Sequence, residues 1–370
     1  MPAVELQGVT KKFGKVTAAE NVNLKIEDKE YITILGPSGC GKTTLLKIIA
    51  GILEPTDGKV FVDGKCVNHI PMDERDLGYV FQNIALFPHL NVWDNVTYAA
   101  RVKDWSPEET RKVGNENLNL VGFLGKENFL PVELSGGASQ KVGLARALST
   151  DAKLLLLDEP LSALDARVRL ELRYVLRRLV KDMGLTAIHV THDQEEALSI
   201  SDRVVVMRAG KIVEINTPQQ LYNNPENLFT VNFVGESNFI EGIVSMIEKD
   251  VVLVELKGGT ILTLWGKGFE YGEAVILIVR PENVELRSGE KILRSNTLNG
   301  KIDEIIFMGG YVRYLVEAEG EKIIVDIPVV FGKNGKKFNI GENVILTLNE
   351  RNVLIYKKPQ EGLTEVLKLE

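Results

Sequence analysis

Cysteine is scarce in this chain: Cys40 and Cys66 are the only two among 370 residues. Two thiols supply no disulfide framework and no metal-ligand spacing, a usage that fits a reducing compartment. Long apolar runs are also missing. No stretch approaches the roughly 18 to 20 apolar residues that a membrane-spanning helix needs, and the opening MPAVELQGVTKKFGK has no apolar segment of the secretion-signal kind. Positive charge is thin: the formal net charge is -7. No lysine or arginine run offsets it, which argues against a sequence-independent nucleic-acid binder. Internal repeats and low-complexity tracts are absent. The expectation is a soluble, cytoplasmic chain that reaches a membrane only through partners.

What is present suits a globular protein of two or three domains, with 44% hydrophobic and 26% charged residues. The chain is organised around YITILGPSGCGKTT, from Tyr31 to Thr44. Tyr31 to Leu35 reads as a buried strand, followed by Gly36-x-x-x-x-Gly41-Lys42-Thr43 and a helix-like LLKIIAG. Gly36, Gly39 and Gly41 let the backbone turn its N–H groups onto a phosphate chain, and the helix N-terminus adds its positive end. Lys42 brings a full charge to the outer phosphates, and the Thr43 hydroxyl suits Mg²⁺. Cys40, inside the loop, reads as a small filler. This is a nucleoside-triphosphate site.

Short strands before the loop, VELQGV and VTAAENVNLKI, are expected beside its strand. EPTDGKVFVDGK reads as turn, strand and Asp-Gly turn, and DLGYVFQ as a strand ending at Gln82. The segment from Asn91 to about Leu120 is helix-like, with Ser106-Pro107-Glu108-Glu109 a good start signal. LLLLDEP is a buried parallel strand, Asp165 caps a long amphipathic helix that Gly184 closes, and TAIHVTHD is another strand. RVVVMRAGKIVE is a hairpin. Strands alternating with helices around a phosphate loop define a wound α/β domain. The pattern changes near Gly235. From there short strands separated by Gly, Asn and Asp turns suggest one small β-barrel or two barrel halves, and KKPQEGLTEVLKLE is expected as a solvated tail.

Asp158 and Glu159 stand at the carboxyl end of their strand, where α/β sheets place ligands. Asp158 suits holding Mg²⁺ and Glu159 polarising a water. Ser135, with Gly136 and Gly137, caps a helix and exposes N–H groups, either as a plain cap or as a second anion site gripping a nucleotide on another copy. His189 reads as a satisfied core residue. His192 ends its strand in a polar THD context, where a structural role competes with a reach toward phosphate or water.

Together these motifs resemble the ATP-binding subunits of ABC transporters, specifically ATPases of importers like that for maltose. GPSGCGKTT is similar to the Walker A loop, with Gly36, Pro37, Ser38, Gly39, Cys40, Gly41, Lys42, Thr43 and Thr44 at the nucleotide. Gln82 resembles the Q-loop glutamine, LSGGASQKVGLARAL the signature (Ser135, Gly136, Gly137, Ala138), and LLLLDEP Walker B. SALD, with Ser162 and Asp165, resembles the D-loop, and His192 the switch histidine. Phe13 takes the place of the aromatic that stacks on adenine. The resemblance implies ATP and Mg²⁺ as cofactors, with Thr43, Gln82 and Asp158 at the metal, Glu159 as catalytic base, and Lys42, Gln82 and His192 at γ-phosphate, metal or water. It implies a P-loop ABC domain over 1–235, with a helical subdomain at about 88–150, and an OB-type (TOBE) regulatory domain over 236–370 that helps hold the dimer. It also implies a head-to-tail homodimer, two permease subunits, a solute-binding protein met indirectly, and a place on the cytoplasmic face of the membrane. Sugar uptake is the expected role, with polyamine, ferric iron or oxyanion uptake as alternatives.

Three residues depart from the family pattern. Ala138 and Lys141 replace the usual Gln and Arg, and Gly143 replaces an alanine at about 1 kcal/mol in helix propensity. Ala138 cannot hydrogen-bond across an interface, so a looser trans grip is expected. A DNA-repair or translation ATPase is disfavoured by the single cassette and the short segment between loop and signature. An exporter is disfavoured by the β domain, by analogy alone. A binding protein without hydrolysis is disfavoured by Lys42, Asp158, Glu159 and His192.

Overall fold

The computed structural model describes residues 3–83, 86–150, 152–162, 164–289, 295–329 and 337–368. Ala163, inside SALD, lies outside them. Two compact units divide the chain, one ending at Leu221 and the other running from Tyr222 to Lys368.

In the first unit, β1 (Val4–Phe13) and β2 (Val16–Ile26) form a hairpin, and β3 (Tyr31–Leu35) leads into α1 (Lys42–Ala50). β4 (Asp57–Val62), β5 (Lys65–Cys66) and β6 (Leu77–Val80) follow. Four helices come next: α2 (Val92–Val96), α3 (Tyr98–Val102), α4 (Pro107–Leu120) and α5 (Gly136–Leu148). Then β7 (Leu154–Asp158), α6 (Ala166–Asp182), β8 (Thr186–Thr191) and α7 (Gln194–Ile200) alternate. The hairpin β9 (Arg203–Arg208) and β10 (Lys211–Asn216) completes the series, and the division between the units falls within α8 (Pro218–Asn223).

The central sheet has the order β10-β9-β3-β8-β7-β6. Pairing is parallel from β9 to β6, and β10 is an antiparallel edge. Every residue of β3, β7 and β8 is buried, because helices and a second sheet cover a parallel sheet on both faces. Those three strands are neighbours, so the segments leaving their carboxyl ends meet: the Gly36–Gly41 loop, Glu159 and His192.

VELQGV and VTAAENVNLKI pack beside β3 as expected, in an antiparallel sheet of their own with the order β2-β1-β4-β5. Leu6 and Ile26 of that sheet share one apolar cluster with Ile34 of β3 and Leu45 and Ile49 of α1. One local expectation needs correction. The helical stretch from Asn91 to Leu120 is broken twice. Thr97 turns its hydroxyl back onto the Trp93 carbonyl (2.8 Å), competing with the helix ladder, and Asp104 takes a left-handed φ of 51°. Ser106 then starts α4 with the expected capping box to Glu109.

The second unit begins with α9 (Leu228–Phe233), followed by β11 (Asn238–Glu248), β12 (Val251–Leu256), β13 (Ile261–Trp265) and β14 (Ala274–Val279). β15 (Val284–Ser288), β16 (Thr297–Phe307), β17 (Tyr311–Ala318), β18 (Glu321–Pro328), β19 (Asn343–Leu348) and β20 (Val353–Lys357) continue the strands, and α10 (Leu363–Leu367) ends the unit. They make two five-stranded sheets, β13-β12-β11-β14-β20 and β15-β19-β16-β17-β18. One apolar core joins both, from Ile240 and Val254 on one side to Leu298 and Val316 on the other. Two asparagines staple the sheets. Asn238 exchanges two hydrogen bonds with the Ile324 backbone (2.8 and 2.7 Å), and Asn296 does the same with Thr263 (2.8 and 2.7 Å).

The tail is not wholly solvated. Leu363, Val366 and Leu367 pack with Leu228 and Val231 of α9 and Ile276 and Ile278 of β14. That packing draws α9 into the second unit, so the units divide upstream of the change in pattern at Gly235.

Candidate active site

Gly41 starts α1 in a left-handed conformation, φ 103°, and a Cβ there would lie 2.0 Å from the Ala18 carbonyl oxygen. A Cβ on Gly36 would meet the Met207 carbonyl at 2.4 Å. The loop is therefore pressed between β2 and β9 so tightly that no side chain fits at either glycine. Lys42 is buried, and its Nζ donates to the carbonyls of Gly36 (2.7 Å) and Pro37 (2.8 Å), folding the cation over the loop. Cys40 is buried, and burial pushes its thiol up despite Lys42. It fills space as expected and has little thiolate character.

A cleft of about 280 Å³ opens on this loop, lined by Ser38, Gly39, Gly41, Lys42, Thr43 and Thr44. Gln82 and Glu159 also line it, as does Ala18 of β2. At its base the Thr43 hydroxyl donates to Asp158 Oδ1 (2.8 Å), and the Tyr79 hydroxyl reaches Oδ2 (3.4 Å). Burial pushes the Asp158 carboxyl above its ordinary range, against the pull of Thr43, Lys47 and Tyr79. A buried carboxylate held against the Thr43 hydroxyl, at the base of a cleft that Gln82 also lines, is an oxygen donor set suited to a cation. It fits Mg²⁺, which takes few protein ligands and completes its shell with water and phosphate. Among the described residues no group of three His, Cys, Asp or Glu side chains makes a metal cage.

Glu159 takes a left-handed φ of 47°, a conformation costing a non-glycine residue about 1–3 kcal/mol. The two carboxylates take different partners, Thr43 and Tyr79 for Asp158 and Gln82 and His192 for Glu159. The Glu159 N–H donates to the Val190 carbonyl (2.9 Å), so β8 holds the turn in place. Gln82 Nε2 donates to Glu159 Oε2 (3.1 Å), and His192 Nδ1 lies 3.3 Å from the same oxygen. Gln82 sits two residues beyond the end of β6, at Val80, and is exposed.

Other expected residues lie outside the cleft lining. Phe13 ends β1 opposite Val16, half exposed, with the Lys11 ammonium 5.2 Å from its ring centre. Ser135 caps α5, its hydroxyl accepting from Ala138 N–H (3.3 Å), and both Ser135 and Gly136 are exposed. Gly137 lies against Leu164, where a Cβ would come within 2.9 Å, and Ala138 packs on the apolar cluster beneath the helix. Ser162 donates its hydroxyl to the Glu159 carbonyl (3.0 Å), and Asp165 caps α6 by accepting from Val168 N–H (3.0 Å).

His189 is buried as expected: the Tyr31 hydroxyl lies 2.9 Å from Nδ1, and Nε2 faces Glu196 at 3.2 Å. Burial pushes Glu196 up, but His189, Thr191 and Arg173 together hold it below the ordinary carboxylate range. Residues that sequence reasoning missed here are Tyr79, Arg169 and Asp193. Only Asp193 had a local signal, since Asp-x-x-Glu before an apolar run is a helix-start pattern.

Comparison with known proteins agrees with this geometry. Residues 19–162 match the ABC transporter family, and residues 277–355 match the TOBE domain. The chain is 38% identical to the spermidine/putrescine import ATP-binding protein PotA of Acetivibrio thermocellus, over 97% of each chain. It is 42% identical to the Fe(3+) ions import ATP-binding protein FbpC of Rhizobium etli, over 87% of this chain and 90% of that one. Among solved structures, a dimeric post-hydrolysis state of the ATP-binding cassette MJ0796 bound to ADP and Pi aligns with a TM-score of 0.54 at 35% identity, covering 58% of this chain and 98% of that one. The chain belongs to the ATP-binding subunits of ABC importers that carry a TOBE domain. It is an ATP hydrolase coupled to transmembrane transport. Among the described residues no helix is long and apolar enough to cross a membrane.

Proposed function

We propose that Glu159 is the base that activates water on ATP, and that the solute driven by this hydrolysis is a polyamine. The convergence of Gln82 and His192 on one oxygen of Glu159 carries the first part. With Oε2 held by both partners, Oε1 is the oxygen that accepts the proton of the attacking water. Lys42 and the N–H groups of the Gly36–Gly41 loop bind and orient the β- and γ-phosphates. Thr43, Asp158 and Gln82 would hold Mg²⁺, which when bound neutralises phosphate charge. Phe13 is the stacking surface for adenine, on the hairpin that carries Ala18 to the cleft.

The reading extends to two copies closing head to tail, with Ser135, Gly136, Gly137 and Ala138 of one copy meeting the nucleotide of the other. The exposed cap at Ser135 supports this, as do the dimeric cassettes that the chain resembles. Two permease subunits would hold the pair at the cytoplasmic face of the membrane. A polyamine stands ahead of the sugar expected from sequence because several similar proteins are named for spermidine/putrescine import and one for ferric iron.

The test is ATPase activity of the importer reconstituted with its own permeases and binding protein. Spermidine or putrescine should stimulate turnover, and maltose and ferric iron should not. Stimulation by maltose or iron alone would overturn the polyamine assignment and leave the ATPase assignment standing.

A further inference from the structure

Arg169 lies one turn into α6, where helical side chains lean back toward the N-terminus. Its guanidinium divides between two segments. One nitrogen donates to the Leu164 carbonyl (3.0 Å), in the turn that carries Ser162, and the other to Asp193 Oδ2 (3.3 Å), the residue after His192. Asp193 uses its other oxygen to cap α7, accepting from Glu196 N–H (2.9 Å), while its own N–H donates to Thr191 Oγ1 (3.0 Å). The buried Arg173 adds a second cation 3.5 Å from Asp193 Oδ2.

His192 is thus flanked on both sides by anchored residues while its own ring is half exposed and 3.3 Å from Glu159. The segment at the other end of the Arg169 bridge is bonded to Glu159 as well, through the Ser162 hydroxyl on the Glu159 carbonyl (3.0 Å). Both turns therefore bear on the same residue, one through its backbone and one through its carboxylate. Arg169 ties them to each other with a rigid planar fork, which a lysine cannot imitate.

We propose that Arg169 is a positioning residue for hydrolysis: it locks Leu164, two residues after Ser162, to Asp193, so that His192 is aligned on Glu159 only when Leu164 is in place. A surface staple without this role would affect melting and leave turnover alone. The inference rests on the reading of Glu159 and His192 given above.

The experiment measures kcat, KM for MgATP and melting temperature on the full chain carrying Arg169→Met, Arg169→Lys, Asp193→Asn or the Arg169→Met/Asp193→Asn pair. Asparagine caps a helix as well as aspartate, so Asp193→Asn removes the charge and keeps the cap. Arg169→Met should lower kcat about tenfold with KM within about twofold, which is about 1.4 kcal/mol in the transition state alone. Arg169→Lys should not rescue, because one ammonium cannot hold both acceptors. The double variant should be no worse than the poorer single one, as for partners in one bridge. Unchanged kcat with a lowered melting temperature, full rescue by lysine, or multiplying effects in the pair would each overturn the proposal. Glu159→Gln run in parallel separates the two readings: if it retains full turnover, the assignment of the base falls, whereas if it is inactive and Arg169→Met is not, only the bridge falls.

Discussion

The two units bury polar groups for opposite purposes. In the first, Lys42 and Asp158 are buried ionisable groups at the carboxyl ends of β3 and β7, and His189 and Glu196 form a buried ionisable pair between β8 and α7. In the second, Asn238, Arg280 and Asn296 are buried polar side chains that serve the fold. Each is spent on neighbouring backbone or side-chain groups. Arg280 donates to the carbonyls of Val231, Glu236 and Tyr222 and to the Ser237 hydroxyl, and stacks 4.3 Å from the Tyr222 ring. The difference follows from architecture. A parallel sheet gathers strand ends at one edge, where loops are free to carry chemistry, while two antiparallel sheets close on each other and need internal staples.

The comparison breaks most sharply at Glu159. Glu159→Gln should cut turnover by roughly 10²-fold or more while ATP still binds; steady-state hydrolysis and equilibrium nucleotide titration check both halves, and turnover at the normal rate would remove Glu159 from the role of base. In the second unit Asn238→Ala should cost about 2–3 kcal/mol, because the Ile324 N–H and carbonyl both lose their partner inside the core. Denaturant unfolding should show the loss, with ATP affinity unaltered. A smaller effect is expected at Phe13: Phe13→Ala should weaken ATP and GTP binding alike by about tenfold, since stacking reads little of the base. If one nucleotide alone is weakened, the stacking surface lies elsewhere.

The smallest effect concerns acid stability. Glu196 is held below the ordinary carboxylate range in the folded chain. It therefore contributes stability above the unfolded value, lost as pH falls through its depressed folded value. Glu196→Gln should be less stable than the parent at neutral pH, and the gap should narrow as pH drops through the carboxylate range. A gap that stays constant across urea titrations at several pH values would show that the charge of Glu196 is not what stabilises.

Much of the phosphate site was legible beforehand because its parts are contiguous. A strand, Gly36-x-x-x-x-Gly41-Lys42-Thr43 and a helix within fourteen residues, Tyr31 to Thr44, can be read as one unit. The caps at Ser106, Ser135 and Asp165 were legible for the same reason. The break in the Asn91–Leu120 helix was not, since Thr97 and Asp104 act through backbone geometry that apolar spacing does not report. The tail misled because Leu363, Val366 and Leu367 are sparse among charges and find their partners on α9 and β14, far away in sequence.

Sequence alone determined the residue types and the local turns, because caps, glycine loops and periodicity depend on neighbours a few positions apart. Tertiary structure alone decided which side chains act together. Gln82 meets Glu159 across 77 residues, Thr43 meets Asp158 across 115, and Arg169 meets Asp193 across 24. Those pairings arise from the order in which strands lie in the sheet, and no local pattern along the chain records that order.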